Sequence, residues 1–246
     1  MKYIGPNKVT WRKDPTTGIT DQYGQTSAKR ILKTETHSSR DGITSNITAL
    51  TPALLEWFTP LYTNTISQKN SPVIFDIEQT TKNTDQKTYH ILTISEQGKQ
   101  LGGLIFSITE ESINIAYKIF TNQWIYSKLP AGPSLYADYL ITKHAADLRK
   151  KYISHGKDRN GYGKHSSIGL ALFKIALGYK PYLPKDFEAL EFTESEIDGD
   201  SLYFVTNESI SMPLHGHLFT REATRQQWAR FKSYTDRVSV TWHIID

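Results

Sequence analysis

The 246-residue chain is predicted to adopt an α+β fold: a three-layer α/β arrangement with a mixed, mostly antiparallel sheet and helices on both faces. Three observations predict it. Period-two segments between Thr88 and Phe120 are joined by short connectors. A segment with helical spacing precedes them. Helical and strand-like stretches then alternate to the end of the chain. At 38% hydrophobic and 22% charged residues, the chain is long enough to bury a sizeable core.

Residues 1–48 are polar, with Trp11, Tyr23, Ile31 and Leu32 scattered among Thr, Ser and Lys. They read as an N-terminal extension with a strand or two, ahead of a main domain over residues 49–246. In TPALLEWFTPLYTNTIS, Thr51 is a helix cap with Pro52 in the first position, and Pro60 is expected to kink or end the helix. VIFDI, TYHILTIS, LGGLIFSI and SINIAYKIF read as four strands, the last three a meander across EQGK and TEES. Gly102-Gly103 marks a bulge or a close backbone approach.

Ser134 is expected to cap a helix that places Tyr136, Leu140, Ile141, Ala145 and Leu148 on one face. KYISH is strand-like, and HSSIGLALFKIAL is a helix with Gly178 in the left-handed position after its last turn. A strand around Leu202–Val205, a helix capped by Thr220 and carrying Ala223, Gln227 and Phe231, and the strand VSVTWHIID complete the order.

A formal charge of +4 suits anionic small molecules or polymers, and is too modest to mark a nucleic-acid face by itself. The absence of cysteine excludes disulfides, thiolate nucleophiles and zinc-thiolate sites. MKYIGPNKVTWRKDP contains no apolar segment of signal-peptide length, and no run nears the roughly 18 apolar residues of a membrane helix. A cytoplasmic protein without membrane association is expected.

The stretch SHGKDRNGYGKHSS sets a glycine-rich cationic loop before a helix that is apolar on most sides, with Lys174 its only charge. The first turn of a buried helix has unpaired amides and the positive end of the helix dipole. Gly156, Lys157, Arg159, Gly161, Gly163, Lys164, Ser166 and Ser167 together predict a phosphate or pyrophosphate site. The competing reading is a plain connector ending in a serine cap. A Walker loop is ruled out, because His165 follows Gly163-Lys164 and Asp158 stands where its first glycine belongs.

The segment SSIGLALFKIALGYKP, ending in Leu177-Gly178-Tyr179, resembles the last core helix of the GNAT acyltransferase superfamily. Asp158 with Gly169-Leu170, Phe173-Lys174 and Gly178 is similar to the FemX-like and BioF2-like branch, in which a GL..FK...G pattern recurs. The resemblance spans roughly residues 50–185 and implies a GNAT-like sheet. It also implies an N-acyltransferase that moves an acyl group from acetyl-CoA or another acyl-CoA to an amine.

An aminoacyl-tRNA-dependent transferase, or a non-catalytic binding protein on the same fold, are the alternatives. Two departures from the family stand out. Lys128–Ser134 carries two prolines where the pyrophosphate loop belongs, and Lys174 replaces the acid tyrosine.

Amine attack on a thioester or ester needs a base that titrates near neutrality and stabilisation of the oxyanion. His155, at the end of KYISH, is the candidate base, and its competing reading is a structural histidine. Tyr162 is the candidate acid or stacking surface, and its competing reading is a loop anchor. The expected partners are therefore a small-molecule acyl donor and an amine acceptor. With RNA as partner, Lys157, Arg159 and Tyr162 would meet phosphates and bases. His215 and His217 read as an ordinary loop, and no metal is expected.

Overall fold

A computed structural model of the chain describes residues 1–38, 40, 42–68, 74–82, 87–121, 130–206, 213–234 and 237–245. The first half holds β1 (Lys2–Pro6), β2 (Lys8–Lys13), α1 (Ile19–Tyr23), α2 (Gln25–Ser38), β3 (Ile43–Ala49), α3 (Pro52–Ser67), α4 (Ile77–Thr80), β4 (Thr88–Glu96), β5 (Lys99–Ile108) and β6 (Ser112–Phe120). Then come α5 (Pro133–Asp147), β7 (Tyr152–Arg159), α6 (Ile168–Ala176), β8 (Lys180–Tyr182), β9 (Ala189–Thr193), β10 (Ser201–Val205), β11 (His215–Thr220) and β12 (Val240–Ile244). The fold is mixed α/β with mostly antiparallel pairing, as the sequence predicts.

Contacts divide the chain into two compact units. A terminal unit comprises Met1–Lys13, Asp21–Tyr23 and Ser154–Asp246, and a central unit comprises Asp14–Thr20 and Gly24–Ile153. This division falls elsewhere than residue 48. Met1–Lys13 belongs with the C-terminal residues because β1 pairs antiparallel with β9, and β2 with β8.

In the central unit β3, β4, β5 and β6 form the expected antiparallel meander. The β4–β5 hairpin turns on Gln97 and Gly98, both at positive φ (49° and 78°), as a two-residue turn of matching twist requires. On one face Phe58 and Tyr62 of α3 pack on Ile91, Ile105, Tyr117 and Ile119. On the other, His144 of α5 sets its ring edge against Phe106. Helices therefore cover both faces of this sheet.

Three local expectations are corrected in this unit, and one helix is added. The chain from Ile74 to Asp76 is irregular and Ile77–Thr80 is a helical turn, because the Asp76 carboxylate caps it by accepting from Gln79 N. The helix begun at Thr51, whose hydroxyl accepts from Leu54 N, runs through Pro60 to Ser67. The cap of α5 is Gly132, not Ser134, with Pro133 in the first helical position. Helix α2 is absent from the sequence reading: its polar surface hides a narrow stripe of Ala28, Ile31 and Thr34. It docks on α5, where the Glu35 carboxylate accepts from Tyr139 Oη (2.8 Å) and Lys143 Nζ (2.9 Å).

In the terminal unit β7 lies beside β2, and β2 beside β8, while β10, β11 and β12 form a separate sheet whose last pair is parallel. The helix expected after Thr220 is a 3-10 segment over Arg225–Tyr234. Thr220 ends β11, and Asp200 does the capping instead. It accepts from Arg221 N, Thr224 Oγ1 and Trp228 Nε1. Among the described residues no helix is long and apolar enough to cross a membrane.

Candidate functional site

Residues 156–159, expected as loop, continue strand β7. This places Asp158 inward, where one carboxylate oxygen takes three donors: Trp11 Nε1 (2.8 Å), Tyr162 Oη (2.8 Å) and Lys174 Nζ (2.7 Å). Lys174 also donates to the His155 carbonyl (2.9 Å) and lies 5.6 Å from the Trp11 ring centroid. Trp11, Tyr162 and Phe204 meet edge to face around the pair. The side chains of Lys174 and Asp158 are only 4% and 14% exposed, so this is a largely buried ion pair braced by further hydrogen bonds. Burial pulls the Lys174 ammonium below the ordinary lysine range, with Asp158 opposing.

Tyr162 is corrected by this geometry. It is fully buried, and its hydroxyl donates to Asp158 while accepting from Trp11 Nε1. Burial first, then the carboxylate, push that hydroxyl far above the ordinary phenol range. Its hydroxyl is thus committed inside the protein, the loop-anchor arrangement of the competing reading.

The amide cradle is corrected too. The N–H groups of Gly161, Tyr162, Gly163, Lys164 and His165 donate to Asn160 Oδ1, Leu202 O, Ser166 O and, for the last two, Gly161 O. These dipoles are spent inside the protein. The glycine at 163 serves a different need. At φ 102° it lies so close to β10 that a Cβ would stand 2.1 Å from the Asp200 carbonyl oxygen. Close backbone packing, rather than an anion, explains it. Ser167 is the cap of α6 as expected, accepting from Gly169 N. At the far end Gly178 takes the left-handed conformation (φ 87°), while Lys13 and Arg237 donate to the carbonyls of Leu177, Ile175 and Ala176.

His155 is half-buried, edge-on to Tyr179 with centroids 5.1 Å apart and to Phe173 at 6.4 Å. Gly156, Lys157, Gly163, Lys164 and Ser167 are exposed, and Ser166 is half-buried.

Arg159 opens onto a cavity of about 340 Å³ lined by Asn7, Lys8, Arg159, Asn160, His165 and Leu190. Asn160 forms its wall and is fully engaged. Its amide donates to Pro6 O and Phe204 O, and its carbonyl oxygen accepts from Gly161 N and Phe204 N. Asn7 donates to Glu188 at the rim (2.7 Å). The side chains of Lys8, Arg159 and His165 are exposed and make no hydrogen bond or ion pair among the described residues. Two cations and an imidazole thus line one concave, rigid-walled site.

Lys8, Trp11 and His165 are absent from the candidate site residues of the sequence reading, and Lys174 enters it only as the residue in place of the acid tyrosine. The signal for Lys174 was present, as the lone charge in an apolar helix. Nothing local marks Lys8, which reaches the cavity only because β2 lies next to β7.

No protein-family model matches the chain, and no curated protein does. Among solved structures, the chain is similar to the C-terminal DUF2156 domain of a putative lysylphosphatidylglycerol synthetase from Agrobacterium fabrum. That match has a TM-score of 0.48 and 11% identity over 79% of this chain and 62% of that one. It is also similar to L-PGS from Bacillus licheniformis (TM-score 0.44, 11% identity, 63% and 46% covered). A GCN5-related N-acetyltransferase from Kribbella flavida gives a TM-score of 0.34 at 12% identity, with 77% and 58% covered. In each case the chain spans less than two thirds of the solved protein.

Proposed function

We propose that the protein is a transferase of the GNAT-like kind that moves an acyl group from a phosphate-bearing carrier, acetyl-CoA or another acyl-CoA, to an amine acceptor. The observation that carries this reading is the cavity in which Lys8, Arg159 and His165 face solvent without side-chain partners among the described residues. Phosphate oxygens supply the acceptors that these donors lack, and charge-assisted bonds of this type are stronger than neutral ones. Arg159 is proposed as a phosphate ligand, the role that the sequence suggests. Lys157 and Lys164, exposed on the same segment, add attraction at longer range. In this proposal the anion is held by side chains rather than by backbone amides.

His155 is proposed as the base that takes the ammonium proton before the amine attacks the acyl carbon. Its half-buried setting between Tyr179 and Phe173 supports this by limiting water around the ring.

Calorimetric titration with acetyl-CoA tests the reading. Parent protein should bind, and Arg159→Ala and Lys8→Ala should each weaken binding about tenfold, the loss of one charge-assisted contact. The loss should be smaller at higher salt. No heat from folded parent protein, alongside salt-sensitive binding of tRNA, would transfer the donor role to an aminoacyl-tRNA.

A further inference from the structure

Histidines crowd the C-terminal sheet on one face. His217 Nδ1 lies 2.9 Å from His243 Nε2, joining β11 to the edge strand β12. The rings are 5.1 Å apart and inclined by only 16°, so the contact is a hydrogen bond lying near the ring planes. His215 Nε2 bonds Thr241 Oγ1 (2.7 Å) on the same two strands. On its other side, His243 Nδ1 stands 3.9 Å from Glu194 Oε1, the oxygen that also accepts from Tyr3 Oη at 2.6 Å. Among the described residues no group of three His, Asp or Glu is arranged to hold a metal ion. The contact is therefore a proton-sharing one.

A bond between two imidazole nitrogens needs one donor and one lone pair. With both rings protonated, two N–H groups and two positive charges face each other at 2.9 Å. We propose that His217 and His243 form a one-proton latch that holds β12 on β11, and that entry of a second proton releases the edge strand.

The other titratable groups on this face are His215 on β11, Tyr203 opposite His217 on β10, Tyr3 on β1, Glu194 and the Met1 ammonium, 4.0 Å from Glu194. Among the described residues Glu194 is the one anion touching the pair. It favours the first proton on His243, and at His217 its attraction is outweighed by burial and the neighbouring imidazoles. Burial, then His215 and His243, push His217 down to about 4. Burial also lowers His243, with Glu194 opposing.

The sign follows. A ring whose folded value is depressed binds more protons once detached, so the contribution is whole above the ordinary histidine value of about 6.5 and is lost as pH falls towards 4. What remains in acid is the parallel β11–β12 ladder itself, closed at its ends by Gly216 N to Ser239 O and Ile245 N to Thr220 O. Release is therefore expected to be local fraying of β12 rather than unfolding of the unit.

Hydrogen exchange followed by mass spectrometry between pH 7.5 and 4.5, corrected for intrinsic rates, tests the latch together with NMR titration of the histidine rings. Exchange in residues 240–244 should quicken at least about tenfold on acidification, one pKa unit's worth of free energy, while residues 8–13 stay protected. His243→Gln keeps a hydrogen-bonding amide without a titrating group and should flatten that response to within about twofold. His217→Gln should do the same. In the parent, one ring should titrate well below the other. Two independent titrations near the ordinary value, or equal acid responses in parent and Gln variants, would overturn the proposal.

Discussion

Replacing Asp158 with Ala should destabilise the protein by about 3–5 kcal/mol, the usual effect of removing one partner from a buried ion pair. The mechanism is specific. Three donors converge on one Asp158 oxygen, and removing it strips the Lys174 ammonium of its counter-charge and the Tyr162 proton of its acceptor among buried rings, while the Trp11 indole keeps only the Tyr162 oxygen. Lys174 then holds only the His155 carbonyl among its strong partners here, too little for a charge nearly out of water. In a protein of this size that corresponds to a fall in Tm of roughly 10 °C.

A double variant, Asp158→Ala with Lys174→Met, should recover much of the loss, because no charge is then left buried. Chemical denaturation of the parent, single and double variants measures the coupling. Equal losses in Asp158→Ala and the double variant would show that the carboxylate serves the indole and hydroxyl alone.

Gly163→Ala should be comparably severe, at least about 3 kcal/mol. Its Cβ would stand 2.1 Å from Asp200 O and 3.1 Å from Ser201 Cα, both backbone, so relief requires β10 to move away. The positive φ adds about 1–2 kcal/mol of strain by itself. Gly156→Ala is the control. It also has a positive φ (78°), but open space surrounds its added Cβ, so only the strain contribution is expected. Thermal melts of the two variants separate close packing from conformational need. Equal shifts in Tm would show that the approach of β10 is unimportant.

The meander was legible because Gln97-Gly98 and the alternation of Thr88–Phe120 are local signals that tertiary context reinforces. Helix α6 was equally plain, from its apolar run, the Ser167 cap and Gly178. Helix α2 was not, since three small or branched residues among fourteen make too weak a stripe to rise above its polar surface. The role of Met1–Lys13 was hidden for a different reason. Its partners β9 and β8 lie more than 160 residues away, and sequence pattern reports no long-range pairing.

At the site, Arg159 was legible as a loop cation, and the loop glycines were legible as glycines whose purpose was not. The same spacing serves an anion cradle or a tight crossing of two chain segments. Only the position of Asp200–Leu202 decides between them. Asp158 and Lys174 were noticed separately, sixteen residues apart. Their pairing depends on β7 and α6 being packed together.

The most direct measurement of the central claim, that cationic side chains rather than loop amides receive the donor's phosphates, is an NMR titration of isotope-labelled protein with acetyl-CoA. Saturable shifts should appear first at Lys8, Arg159 and His165, with the Arg159 side-chain signals moving and the amides of Gly161 and Gly163 still protected from exchange. Saturable shifts centred elsewhere, or a spectrum unchanged at millimolar ligand while the protein remains folded, would contradict it.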